Sequence, residues 1–115
     1  MSSYKIAVEV SALVYAAVKK WSFIDQKTVG IQLIRCTDSI AANIAEWFGR
    51  YHKKDKIKFF YNARASVYES AHWVKIALSR DLLDKNSSSE VLSLLRKLPK
   101  EINYLIKFTN INLAI

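Results

Sequence analysis

Residues 32–50 read Gln-Leu-Ile-Arg-Cys-Thr-Asp-Ser-Ile-Ala-Ala-Asn-Ile-Ala-Glu-Trp-Phe-Gly-Arg, and their spacing decides the fold. Arg35, Ser39, Asn43 and Glu46 recur at helical intervals, beside an apolar row of Ile40, Ile44 and Trp47 with Ala41. Residues three and four apart share one face of a helix, so a polar stripe runs alongside an apolar one. Small alanines flank the stripe, which leaves room for a second helix to pack closely.

The same periodicity extends in both directions. Residues 3–21 place Ile6, Val10, Leu13, Val14, Ala17 and Trp21 on one face of a first helix. Residues 22–25 form a break, with Ser22 or Asp25 as cap of the next helix. That helix carries Val29, Leu33, Cys36, Ile40, Ile44 and Trp47 and ends at Gly49, a residue suited to a left-handed cap. Gly30 marks either its true start or a close approach to a neighbour. A third helix over 53–82 follows Phe60, Ala63, Val67, Ala71, Val74 and Leu78. Its length is roughly 40 Å. Residues 84–86 turn the chain, and Ser87 with Glu90 has the spacing of a capping box. The fourth helix carries Val91, Leu95, Leu98, Ile102 and Leu105. Pro99 interrupts it and predicts a kink or two shorter helices. Short connections between long helices make neighbours antiparallel. The expectation is an all-α, up-down-up-down four-helix bundle filling residues 1–115 as one domain.

Composition limits the remaining classes. The chain has 115 residues, two Gly, one Pro and one Cys, so long regular elements leave little room for loops. A lone Cys36 forms no internal disulfide and reads as a small buried residue. No apolar run approaches the ~20 residues of a membrane span, and the first residues lack the shape of a signal peptide. A cytoplasmic protein with no membrane partner is expected.

Charge speaks about partners. The formal net charge is +8. Residues 50–64 contain Arg50, Lys53, Lys54, Lys56, Lys58 and Arg64 against the single acid Asp55. Such a cluster reads as a solvated helix start or as a face for polyanions, whose phosphates it would neutralise with release of counterions. On the second reading Arg50, Lys53, Lys54, Lys56 and Lys58 bind nucleic acid. Tyr51, His52, Phe59 and Tyr61 interleave with them and suit stacking on unpaired bases.

The polar stripe has counterparts on the third helix in Arg64, Ser66 and Glu69. Opposite chain directions bring Glu46 toward Arg64 and Arg35 toward Glu69, with Asn43 and Ser39 bridging. One or both of these cross-helix ion pairs are expected to be buried, setting register and specificity. Catalytic constellations are missing. Glu69-x-x-His72 has the spacing of di-iron bundles, but those need two such motifs and two further glutamates, and His52 has no Glu three positions before it. Arg64 and His72 stand too far apart for the Arg/His pair of small helical RNases, and no Gly-rich phosphate loop is present. The reading is nonenzymatic, with no cofactor and no metal.

The pattern Gln32-x-x-Arg35-x-x-x-Ser39-Ile40-x-x-Asn43-Ile44-Ala45-Glu46, then Gly49-Arg50, Phe59-Phe60 and Ala63-Arg64-x-Ser66-x-x-Glu69, resembles the bacterial family of 23S rRNA intervening-sequence proteins. It is also similar to the accessory variability determinant of diversity-generating retroelements. The resemblance covers about residues 8–83. It implies an antiparallel bundle, assembly of some members as homopentamers with a basic surface, and an RNA role. For the retroelement member it implies binding of a reverse transcriptase and nucleic acid. Three positions depart from the family's habit: Trp47 and Ala65 stand where Gly is usual, and Ala41 where Pro is frequent. Five copies at +8 each repel one another unless a polyanion or salt screens them. Two functions follow from the sequence: an RNA- or DNA-binding bundle, or a structural adaptor that docks a protein partner such as a reverse transcriptase.

Overall fold

Apolar side chains three and four residues apart build each wall of the core. The computed structural model describes the backbone of residues 2–48 and 53–112. Helix α1 is Ser2–Val18, α2 is Phe23–Asp25, α3 is Ile31–Phe48, α4 is Lys53–Ser79 and α5 is Lys85–Asn112. A π turn, Gln26–Gly30, joins α2 to α3, so the five helices make four rods. No strand occurs among the described residues. Helix α1 packs on α3 and α5, and α4 packs on the same two. The result is the four-helix bundle that the spacing predicts, 49 × 22 × 18 Å in extent.

Val10 and Val14 from α1, Leu33, Ile40 and Ile44 from α3, Phe60, Val67 and Val74 from α4, and Leu95, Leu98 and Ile102 from α5 fill the centre. Each such aliphatic side chain, fully buried, contributes about 1.5–3 kcal/mol. Thr37 and Thr109 are buried as well; their hydroxyls donate to the carbonyls of Leu33 and Leu105, both at 2.8 Å, so neither brings an unmet donor into the core.

Helix ends differ from the sequence reading in instructive ways. Helix α1 stops at Val18 rather than at Trp21, because the Gln26 side chain reaches back and donates to the carbonyls of Val18 and Lys19, both at 3.1 Å. Ser22 is the cap of α2: its Oγ accepts from the Asp25 N–H at 3.4 Å and donates to Asp25 Oδ2 at 2.8 Å. In the π turn the Ile31 N–H bonds to the Gln26 carbonyl, five residues back. Gly30 ends that turn where a Cβ would lie 2.7 Å from Val18 Cγ1 and 3.1 Å from the Asp25 carbonyl oxygen, so its role is close approach. The helix end expected at Gly49 lies outside the described residues.

Helix α4 ends at Ser79 rather than Leu82. Asp81 adopts a left-handed φ of 58°, the Leu82 N–H bonds to the Ala77 carbonyl at 2.9 Å, and the Asp81 N–H to that of Leu78 at 3.1 Å. This is a Schellman closure with aspartate where glycine is the usual residue. Asp81→Gly is therefore expected to raise the melting temperature, since glycine takes that conformation without the Cβ penalty. A thermal melt followed by circular dichroism checks it, and a lowered midpoint would contradict it.

The cap of α5 is Asp84, not Ser87: its Oδ1 accepts from the Ser87 N–H at 2.7 Å. That hydrogen bond holds the Asp84 carboxyl below its ordinary range. The cap is therefore intact above the ordinary carboxylate pKa and is lost as pH falls through the lowered folded value. Pro99 lies within one continuous α5 instead of dividing it. Having no N–H, it leaves the Leu95 carbonyl without its helical donor.

Candidate functional site

The polar stripe of α3 does meet α4, through hydroxyls. Ser66 Oγ lies 3.0 Å from Ser39 Oγ, and Asn43 Nδ2 donates to the Ser39 carbonyl at 2.8 Å and to Ser39 Oγ at 2.9 Å. Arg35, Glu46 and Glu69 are exposed, and Arg64 is half-buried. The expected charged residues are thus not buried between α3 and α4, and the contact at Ser39, Asn43 and Ser66 is neutral. Long charged side chains leave a narrow contact for water because burial would cost several kcal/mol per ion, whereas serine fits and is satisfied locally.

Two of the charged residues, Arg64 and Glu69, are engaged elsewhere. Arg64 donates from Nη1 to Asn103 Oδ1 on α5 at 2.6 Å, and its guanidinium lies 4.9 Å from the Tyr61 ring centre. Glu69 accepts from Trp73 Nε1 at 3.3 Å, and His72 meets the Trp73 ring edge-on at 5.0 Å. The Glu69-x-x-His72 spacing therefore serves contacts within α4. Among the described residues, no three His, Cys, Asp or Glu side chains group as a metal site would require.

Cys36 is buried and donates weakly to the Leu33 carbonyl at 3.4 Å. Burial pushes its thiol pKa up, with the nearby Glu69 charge adding to the effect and the Ser70 hydroxyl opposing it. A thiol so placed stays protonated at neutral pH and reacts only when the bundle opens. Native protein is expected to resist a disulfide reagent that modifies it fully in denaturing urea. Stoichiometric modification of the native fold within seconds would refute this.

The basic segment builds a corner where α3 hands over to α4. Lys56 reaches back nine residues: its Nζ donates to the Trp47 carbonyl at 3.0 Å and lies 4.4 Å from the centre of the Trp47 ring. That places a cation on the C-terminal carbonyls of α3, where the helix dipole favours it, and over an aromatic face. Trp47 in turn packs on Phe60, with ring centres 5.3 Å apart. Lys56 is half-buried and acts as a clasp between helices. Lys58 is exposed, its Nζ 6.0 Å from the Phe59 ring centre. Lys53 and Lys54 belong to the first turn of α4, though their side chains lie outside the described residues, as does Arg50 altogether. The sequence reading thus missed the structural duty of Lys56. The signal was the pair Trp47/Lys56, an aromatic at one helix end and a lysine one turn into the next.

These features define a basic antiparallel four-helix bundle protein, braced by a serine seam and a lysine clasp. The chain belongs to the 23S rRNA-intervening sequence protein family, whose model matches residues 1–104. Its fold is similar to the crystal structure of a protein with unknown function from the S23 ribosomal protein family of Bacteroides thetaiotaomicron VPI-5482. The TM-score is 0.80 at 19% identity, over 91% of this chain and 98% of that one. At that identity the likeness is one of fold. No curated protein matches the chain. No helix of the described residues is long and apolar enough to cross a membrane.

Proposed function

We propose that this is a nonenzymatic, cytoplasmic nucleic-acid-binding bundle whose α3–α4 corner takes the phosphates of RNA or DNA. The supporting observation is the clustering in sequence of Arg50, Lys53, Lys54, Lys56 and Lys58 with the single acid Asp55, together with the exposure of Lys58 beside Phe59. Lys56 contributes its field from within the clasp; Arg50, Lys53, Lys54 and Lys58 are assigned the phosphate contacts. Fluorescence anisotropy with labelled RNA and DNA between 50 and 200 mM salt tests the reading. Affinity should fall steeply with salt. Neutralising Lys53, Lys54 and Lys58 to Gln should flatten the slope by about 2–3, at roughly 0.7–0.9 per phosphate contact. An unchanged slope, or binding no tighter than that of an unrelated protein of equal charge, would reject it.

A second reading has its own support. Tyr104, Phe108 and Ile111 on the last turns of α5 are 64%, 43% and 70% exposed. Exposed apolar residues in a row suit a protein contact. This reading makes the chain an adaptor, either a homo-oligomer such as the pentamer the family resemblance implies, or a dock for a reverse transcriptase or similar protein. Light scattering at two salt concentrations separates them: a monomer at both, with no protein recovered by pull-down, disposes of this alternative.

A further inference from the structure

A second cationic surface runs along the opposite flank of α4, where that helix meets α5. On α4 the positions Tyr61, Arg64, Tyr68 and Lys75 follow one another at steps of three, four and seven, so they line one seam. Arg96, Pro99 and Asn103 succeed each other at the same intervals on α5. Tyr68, Lys75, Arg96 and Pro99 border an open groove of 290 Å³ floored by Val67 and Leu95. One turn further, Arg64 crosses the seam to Asn103.

The acids of the two helices fall elsewhere. None lines the groove. Glu69 is engaged with Trp73, and Glu101 borders a different depression beside Leu105. Lys75 and Arg96 therefore line the groove with no carboxylate among its lining residues, and Arg64 continues the cationic row along the seam. Tyr61 and Tyr68 are 47% and 61% exposed. Seven residues separate them, about 10 Å along the helix. Arg64 is held in place before any ligand arrives, its plane set by the Tyr61 ring and one N–H used by Asn103. A guanidinium has five donors, so the others are left to grip a phosphate.

We infer that the α4–α5 groove is a second binding site, for single-stranded nucleic acid, with Arg64, Lys75 and Arg96 on phosphates and Tyr61 and Tyr68 under bases. The tyrosines choose the ligand. An acidic peptide would satisfy the cations and leave the rings unused, and a duplex hides the base faces on which the rings would stack. The inference rests on the nucleic-acid reading above but on different residues, so the two fail separately.

The test is anisotropy with a fluorescein-labelled 12-mer of mixed sequence, single-stranded and as a duplex, on wild type, Tyr68→Ala and the double variant Lys75→Gln/Arg96→Gln. All three positions are exposed, and circular dichroism verifies that the variants fold. Tyr68→Ala should weaken single-strand binding about tenfold and leave the duplex unaffected. The double variant should reduce the salt slope for the single strand by about 1.4. Wild-type affinity in both variants would overturn this site and leave the α3–α4 corner standing. No binding by the wild type would overturn both. Equal losses for single strand and duplex would overturn the single-strand assignment. A polyglutamate peptide that displaces the oligonucleotide, and whose own binding needs Tyr68, would give the groove to an acidic protein instead.

Discussion

Phe60→Ala should lower the free energy of unfolding by about 3–5 kcal/mol, the range for removing a fully buried aromatic ring. Phe60 has no exposed surface and supports the Trp47 ring, over which Lys56 is held. The cavity would open beneath the clasp, between the facing ends of α3 and α4. Urea denaturation followed by tryptophan fluorescence gives the number. Phe60→Leu keeps most of the volume and should recover more than half of the loss. A cost below about 1 kcal/mol for the alanine variant would mean that the Trp47–Phe60 contact does not hold this end together. Because Phe59, its neighbour, is only half-buried, Phe59→Ala serves as the internal comparison.

Gly30→Ala should destabilise the bundle by about 1–3 kcal/mol, an overpacking cost. Helix propensity alone argues the other way, since alanine exceeds glycine by about 1 kcal/mol inside a helix. Geometry decides between them. The added carbon would meet Val18 Cγ1 at 2.7 Å, on a stiff, buried, branched side chain, and the Asp25 carbonyl at 3.1 Å. Neither neighbour swings aside easily: one is packed in the core and the other is backbone at the end of α2. Differential scanning calorimetry would register the loss, and a melting point at or above the wild-type value would refute the clash. Val18→Ala in the same chain should relieve part of it, giving a non-additive pair.

Most of the architecture was legible because apolar spacing at three and four residues reports directly on burial. Val10, Val14, Leu33, Ile40, Ile44, Val67, Val74 and Leu98, all read as core from the sequence or from its spacing, are buried. Antiparallel register was legible too: Arg35 opposite Glu69 is the alignment that sets Ser39 against Ser66. Which side chains would occupy the seam was not. Periodicity counts polar positions alike, while solvation separates a serine from an arginine. Helix ends were least legible, since they depend on single torsions and single hydrogen bonds. Asp81 holds a left-handed turn that its identity does not announce, Gln26 closes a helix from outside it, and the i−5 bond at Ile31 has no sequence signature. For the basic corner, composition identified the charge but not its employment. Lys56 and Lys58 stand two residues apart and do different things, one joined to Trp47 and the other facing water.

The hydroxyl contacts between Ser39, Asn43 and Ser66 have a further consequence. They carry no formal charge, so this middle part of the α3–α4 contact is electrically silent, in contrast to the Lys56 clasp at its end. Raising ionic strength leaves those hydroxyl contacts untouched, and so does acidification through the carboxylate range, whereas salt screens the lysine at the end of the pair. The middle and the end of the same helix pair therefore answer to different solvent variables.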